Sequence, residues 1–293
     1  MKEDNQVLIE VKIVEWDNMS KKGKIIILIL IIALLIFVIY RNKNISSDYN
    51  FKIYFFNAGK ADAILISKNN KYIMIDTGEE SLSNNILRYF KNNNITKLEY
   101  LIITHFDKDH VGSASSIIEN IEVGEVLQSN YPKESEYYTN YLNSLSKKSI
   151  TPITVIDKYE LSLEDVNIVV TGPNKTYENS ESNNSSLIVS INNGNNKFLF
   201  MGDSENARIK DFTNSNTETY DFLKIPYHGN YLKRLDSLLE NTNPKYGIMT
   251  CSYAEGCEDE TLEILDKYNV KYYMTKNGSI SVLSNGKNII IKQ

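Results

Sequence analysis

The chain has 293 residues, of which 42% are hydrophobic and 24% charged, with 5 prolines and 13 glycines. That mixture excludes extensive disorder, collagen-like repeats and coiled coils, and 2 cysteines exclude a disulfide scaffold or a four-thiolate zinc site. A formal net charge of −5 excludes a basic shell that would bind nucleic acid unaided.

Residues 1–24 read as a short tail whose basic and acidic side chains cancel. Ile25 to Tyr40, IIILILIIALLIFVIY, carries no charge and would measure about 24 Å as a helix. It is apolar on every face, which predicts a transmembrane helix rather than an amphipathic core helix. No small-residue cleavage site follows in FVIYRNKN, so the span is expected to be retained. Lys21, Lys22 and Lys24 precede it and Arg41 and Lys43 follow, a bias that puts the N-terminus inside and the main domain outside the cytoplasm. The expected protein is therefore single-pass in the cell membrane. Residues 41–50 form a linker and 51–293 the main domain; residues 44–293 carry 25 basic and 32 acidic side chains, a net −7.

The main domain opens with strand-like runs FKIYFF (51–56), AILIS (63–67) and KYIMI (71–75), followed by the apolar LEYLIIT (98–104). A second set is expected to begin with ITVID (153–157) and VNIVVTG (166–172). It continues through the hairpin SLIVSI (186–191) and KFLFM (197–201), which turns at Asn193-Gly194. FLKI (222–225), YGIMT (246–250), KYYMT (271–275), ISVL (280–283) and NIIIK (288–292) are expected to complete that second set. Helical spacing falls at 81–93, 113–120, 137–146, 232–240 and 259–268. Two strand groups with helices between them predict a layered α/β sheet-on-sheet domain, with polar residues gathered at strand ends.

The densest polar segment is Thr104-His-Phe-Asp-Lys-Asp-His110, directly after a buried strand. Alternate residues of an extended segment share a side, so His105 and Asp107 can converge on one cation, with Asp109 and His110 turned towards another. Solvated loop charge, or Asp107 or Asp109 as a helix cap, is the plainer reading. Phe198-Leu-Phe-Met-Gly-Asp203 ends a strand with a carboxylate suited to bridging two cations, or with a cap for a helix starting near Ser204. Leu223-Lys-Ile-Pro-Tyr-His228-Gly ends another with a histidine, which a backbone carbonyl could equally satisfy. All 3 histidines of the chain thus stand at two strand ends.

These segments, THFDKDH with FFNAGKADAILI, MIDTG, NNSSLIVSI, FLFMGD and LKIPYHGN, resemble the metallo-β-lactamase superfamily. Within it they are most similar to the domain of that type in ComEC-type DNA-uptake proteins. The resemblance spans nearly all of 51–293. It implies an αββα metallo-β-lactamase-like sandwich with a dinuclear metal site at one edge, and a hydrolase. It places His105 and Asp107 on the first metal, Asp109 and His110 on the second, Asp203 as the bridge and His228 completing the second site. Asp62 and Asp76 match acids that support the metal loop from behind, and Asn183, Asn184 and Ser186 a polar segment near the cleft. Lys224 is expected to meet an anionic substrate, or else to be a strand-end charge. Departures from the family pattern are Asp107 for histidine, Tyr227 and Asn230 in the usual H-H-G-S, and Asn57 and Ala61 in the opening motif. No histidine lies between His110 and His228, which leaves the first site short of one imidazole.

Three carboxylates against two divalent ions leave a site of +1, neutral with a hydroxide. A carboxylate in place of imidazole favours Mn²⁺ or Mg²⁺ relative to an imidazole-rich Zn²⁺ site. The expected chemistry is hydrolysis of a phosphodiester, small or polymeric, by a hydroxide activated between two divalent ions (Mn or Zn, with Mg as a further option), Asp109 also orienting the water. The negative domain disfavours nucleic acid as substrate, against what the resemblance suggests. The rival expectation is a membrane-tethered binding module that kept the fold without catalysis. Cys251 and Cys257 could close a small disulfide ring, Cys257 could be a ligand, or both could be plain thiols. Asn-, Ile- and Lys-rich usage points to an AT-rich bacterial genome.

Overall fold

The computed structural model describes residues 20–173, 175–177 and 181–293, with the side chains of 38–48 and 181 outside that description. The chain divides at Asp48 into two compact units. Among its described residues the first contains one helix, α1 (Lys21–Asp48). Most of its described apolar side chains are exposed, Leu30 and Leu34 at 62% each. The expected membrane span is not shown: among the described residues, no helix is long and apolar enough to cross a membrane. The apolar run continues to Tyr40, whereas side chains are described only as far as Phe37, so the last part of the expected span lies outside them.

The second unit, Tyr49–Gln293, starts with β1 (Phe51–Phe55), β2 (Ala63–Lys68) and β3 (Lys71–Thr77). Next come α2 (Ser83–Asn92), β4 (Lys97–Ile103), α3 (Lys108–Val111), α4 (Ala114–Asn120), β5 (Glu122–Gln128), α5 (Glu136–Lys147) and β6 (Ile153–Thr154). The hairpin strands β7 (Lys158–Leu163) and β8 (Val166–Thr171) lead through α6 (Glu181–Asn184) to β9 (Ile188–Asn193) and β10 (Asn196–Phe200). Then follow α7 (Asn206–Ser215), β11 (Phe222–Lys224), α8 (Leu235–Thr242), β12 (Tyr246–Met249), α9 (Asp259–Lys267), β13 (Lys271–Met274), β14 (Ile280–Ser284) and β15 (Ile289–Lys292).

Among the described residues the strands form two sheets, ordered β15-β14-β1-β2-β3-β4-β5-β6 and β13-β12-β11-β10-β9-β8-β7. Sequence order misplaces three strands: β6, β14 and β15 belong to the first sheet rather than the second. The register explains the return of β14. It pairs antiparallel with β1 so that Phe55 faces Ile280 and Ile53 faces Val282, which puts both buried pairs in the core between the sheets. Without β14 the apolar strand β1 would be an unpaired edge.

Between the sheets, Phe51, Phe198, Phe200 and Phe222 interlock, with Phe51–Phe198 centroids 5.2 Å and Phe198–Phe222 5.7 Å apart. Burying each phenyl ring contributes about 1.5–3 kcal/mol. A second core packs α2, α4 and α5 on the outer face of the first sheet, and a third packs α7, α8 and α9 on the second. The layering is helix–sheet–sheet–helix, as expected. Strands β3 to β6 run parallel, as do β10 to β13. Each sheet therefore gathers several strand C-termini at one rim, where α/β sheets build sites.

Candidate metal centre

Local backbone geometry aims the polar side chains at that rim. After β4, residues 104–107 are irregular, with Asp107 extended, and α3 then turns Asp109 and His110 inward, with His110 N–H donating to the Asp107 carbonyl at 2.9 Å. Asp107 stands at the N-cap of α3 without a capping hydrogen bond, and the N-cap of α7 is Glu205, not Asp203. Neither acid is thus used as a cap. At the other sheet, Tyr227, His228 and Gly229 are all left-handed, with φ of 52°, 55° and 81°. For the two non-glycine residues this costs roughly 1–2 kcal/mol each. The turn is held by Cys257 N–H on the His228 carbonyl (3.1 Å) and Glu258 N–H on that of Gly229 (3.0 Å). Cys251 and Cys257 form a disulfide, which settles the open choice about these thiols and closes the loop that braces His228.

Asp109, His110, Asp203 and His228 meet with their ligand-capable atoms all within 4.8 Å of one another. One Asp203 oxygen lies 3.3 Å from His110 Nε2 and 3.1 Å from His228 Nε2, and Asp109 lies 3.4 Å from His228 Nε2. His105 packs its ring 4.0 Å from that of His110. Asp107 is drawn aside: its carboxylate accepts from Lys133 Nζ at 2.6 Å and from the Ser182 hydroxyl, and is 3.9 Å from His105 Nε2.

The acids behind the rim orient these groups. Asp76, fully buried with φ 52°, accepts from Thr104 N–H (2.7 Å), Thr104 Oγ1 (2.6 Å) and His110 Nδ1 (2.8 Å). Asp62 pairs with Lys224 Nζ at 2.5 Å and accepts from the Thr250 hydroxyl. Thr250 also holds His228 Nδ1, through its carbonyl and its Oγ1, both at 3.0 Å. The carbonyl contact foreseen for a lone histidine is thus present on Nδ1, while Nε2 faces the carboxylates. Of the two roles expected of Lys224, the strand-end charge fits, since it ends β11. Its side chain is completely buried, donates to the Gly202 carbonyl at 3.1 Å and lies 3.6 Å from Asp203, so it neutralises acids behind the rim. Asn184 accepts from the N–H groups of Glu205 and Arg208, Asn183 donates to Glu205, and Ser186 accepts from the N–H of Asp203.

Burial, with the neighbouring charge of His110, pushes His105 down to about 4. Burial would also lower His110 and His228, but Asp203 holds both above the ordinary imidazole value, helped by Asp76 for the first and Asp109 for the second. Against burial, His228 and His110 hold Asp203 well below the usual carboxylate range.

Two buried atoms test whether cations fit. Among the described residues, His105 Nε2 and Asp203 Oδ1 have no hydrogen-bond partner. Leaving a buried polar atom unpaired costs about 1–3 kcal/mol. Here one is a neutral imidazole lone pair and the other a carboxylate oxygen, donors that divalent ions accept. The donor set fits a cation at the cluster of four. At Asp107 it fits only after Lys133 moves. Sequence patterns gave no sign of Lys133 or Ser182. Thr104 and Thr250 do share a signal, a hydroxyl ending a buried apolar strand.

This layering with imidazoles and carboxylates at the shared rim defines a metallo-β-lactamase-type fold. The profile of the Metallo-beta-lactamase superfamily matches residues 57–252, and the chain belongs to that superfamily. Recombination protein 2 of Haemophilus influenzae is 25% identical over 224 residues, 75% of this chain and 26% of that protein. ComE operon protein 3 of Bacillus subtilis is 24% identical over 195 residues, 64% of this chain and 24% of that protein. The ComEC-type resemblance is therefore shown at modest identity, and the chain spans about a quarter of the length of these curated relatives. The metallo-beta-lactamase fold protein YhfI from Bacillus subtilis superposes over 83% of this chain and 100% of its own, with TM-score 0.54 and 10% identity. CmlA, a diiron beta-hydroxylase from Streptomyces venezuelae, covers 76% of this chain and 52% of its own, with TM-score 0.50 and 16% identity. Both likenesses concern the fold alone.

Proposed function

We propose that this protein is a divalent-metal-dependent hydrolase acting on phosphodiesters, with the tethering helix at residues 25–40 holding it at a lipid surface. One observation carries the reading: Asp109, His110, Asp203 and His228 converge within 4.8 Å while His105 Nε2 and Asp203 Oδ1 stay buried without a hydrogen-bond partner. Two divalent ions bound there would supply Lewis acidity and a water whose pKa falls to about 7, chemistry suited to phosphodiester cleavage. His110, His228 and Asp109 would hold one ion, His105 and Asp107 would hold the other, and Asp203 would be available to either. Asp76 keeps the His110 Nδ1 proton in place, which leaves the Nε2 lone pair for the centre. Thr250 does the same for His228. Lys224 and Asp62 cancel behind the centre, so added cations change the charge of the cleft rather than that of the core. The substrate faces a cleft of about 590 Å³ lined by Asp107, Tyr131, Lys133, Ser182, Glu205 and Tyr227. Tethering rests on the charge-free run Ile25 to Tyr40, and its test is co-sedimentation of the full chain with lipid vesicles.

Tyr227 in place of a family histidine favours a second reading, a binding module without catalysis. Elemental analysis and turnover separate the two. The hydrolase takes up two ions per chain and cleaves bis(p-nitrophenyl) phosphate with Mn²⁺, and Asp203→Ala abolishes cleavage. Equal turnover by wild type and Asp203→Ala refutes the hydrolase; metal uptake without turnover of any phosphodiester favours the binder.

A further inference from the structure

Lys224 is buried, so the anion contact expected of it must come from elsewhere. Lys133 lines the cleft on the loop between β5 and α5, with its side chain 37% exposed. Among the described residues lining that cleft it is the single cation, opposite Asp107, Glu134 and Glu205. Its ammonium sits 2.6 Å from Asp107 Oδ1, the carboxylate whose other neighbours are the Ser182 hydroxyl and His105. A +1 ammonium thus occupies the position at Asp107 that a divalent ion would take. An ammonium and a divalent ion cannot share one carboxylate oxygen without strong repulsion. A flexible four-carbon stem lets the ammonium swing away without moving the backbone.

The geometry points to Lys133 as the residue that binds the anionic group of the substrate. It is parked on Asp107 in the metal-free protein and released over the cleft when a cation claims that carboxylate. This inference rests on the proposed metal centre and assigns its substrate contact. Lys133 and the first cation compete for Asp107, so the same lysine that strengthens anion binding weakens metal binding. Loading the centre arms the cleft for an anion, and the metal-free cleft, with its lysine neutralised, binds anions poorly.

The test uses the full chain, Mn²⁺ alone and inorganic phosphate as probes, and titration calorimetry as readout. Lys133→Met removes the competitor and the anion contact together. Mn²⁺ should bind it roughly fivefold more tightly than wild type, the scale of a part-exposed ion pair. The Mn²⁺-loaded variant should bind phosphate roughly tenfold more weakly, the scale of a charge-assisted hydrogen bond. Lys133→Arg should keep phosphate affinity within about threefold of wild type. If either constant is unchanged in Lys133→Met, the inference is overturned, whatever the turnover. Both shifts in a protein that cleaves no phosphodiester would uphold the lysine's role and refute the substrate reading. Asp203-dependent cleavage with neither shift would do the reverse. A wild type that takes up no Mn²⁺ overturns both.

Discussion

Replacing Asp76 with asparagine isolates the role of one carboxylate. The substitution keeps shape, and asparagine tolerates the left-handed backbone at φ 52° better than other non-glycine residues. The amide oxygen can still accept from Thr104 N–H, now 2.7 Å from Oδ1. The amide NH₂ then occupies the place of Oδ2, which accepts from Thr104 Oγ1 at 2.6 Å and His110 Nδ1 at 2.8 Å. The threonine hydroxyl can rotate to accept, but His110 must give up its Nδ1 proton. Its neutral ring then carries the proton on Nε2, where a cation needs a lone pair. Two charge-assisted bonds worth about 1.5–3 kcal/mol each are lost. With partial relaxation of the hydroxyl, the expected loss of stability is about 3 kcal/mol, read from the denaturant midpoint of the metal-free protein. Mn²⁺ affinity should fall about 10- to 100-fold, the range for removing a group that orients a ligand. A variant within about 1 kcal/mol of wild type that binds Mn²⁺ equally well would refute the orienting role, since one ordinary hydrogen bond accounts for so little.

Two further outcomes follow from groups outside the cluster. Joint Cys251→Ser and Cys257→Ser substitution opens a ring of sequence separation 6. It should cost about 2 kcal/mol by loop entropy and also weaken Mn²⁺ binding through the His228 turn; unaltered metal affinity would show that the turn stands without the ring. Asp221 accepts from Lys245 Nζ at 2.8 Å and Lys197 N–H at 3.1 Å; burial opposes its ionisation, but Lys245, the Lys197 N–H and Asn196 together outweigh that and hold it below the ordinary 3.8. Because the folded pKa is the lower one, its contribution is complete above that ordinary value and is lost as pH falls through the folded value. Asp221→Asn should therefore be less stable than wild type near neutral pH, with the gap closing in acid; a gap constant with pH would contradict the assignment.

The apolar alternation of β1 and the unbroken run in β4 made the strands legible, and the clustering of histidines at strand ends marked the rim. Four things were not. The return of β14 beside β1 is a pairing between residues more than two hundred positions apart, and nothing local distinguishes it from a pairing in the second sheet. Lys224 looks like a strand-end cation in one dimension, and only the packing of Asp62 against it reveals a buried ion pair. Lys133 lies in a polar loop of ordinary composition, so its contact with Asp107 exists only in three dimensions. The backbone-held turn at 227–229 was equally hidden, because tyrosine and histidine give no hint of left-handed geometry.

The hydroxyl of Thr250 reaches Asp62 across a sequence separation of 188. A chain emerging from the ribosome presents Asp62, Asp76 and the whole 105–110 loop to water long before the residues that shield them have been synthesised. Until the segment ending at Cys257 has left the tunnel, Asp62 lacks its Thr250 partner and the His228 turn lacks its support. Truncation between Asp203 and Cys257 would yield a chain that carries most of the candidate ligands but lacks the Cys257 N–H that holds the His228 turn. The rim is thus an assembly checkpoint, passed only once Cys257 has joined it.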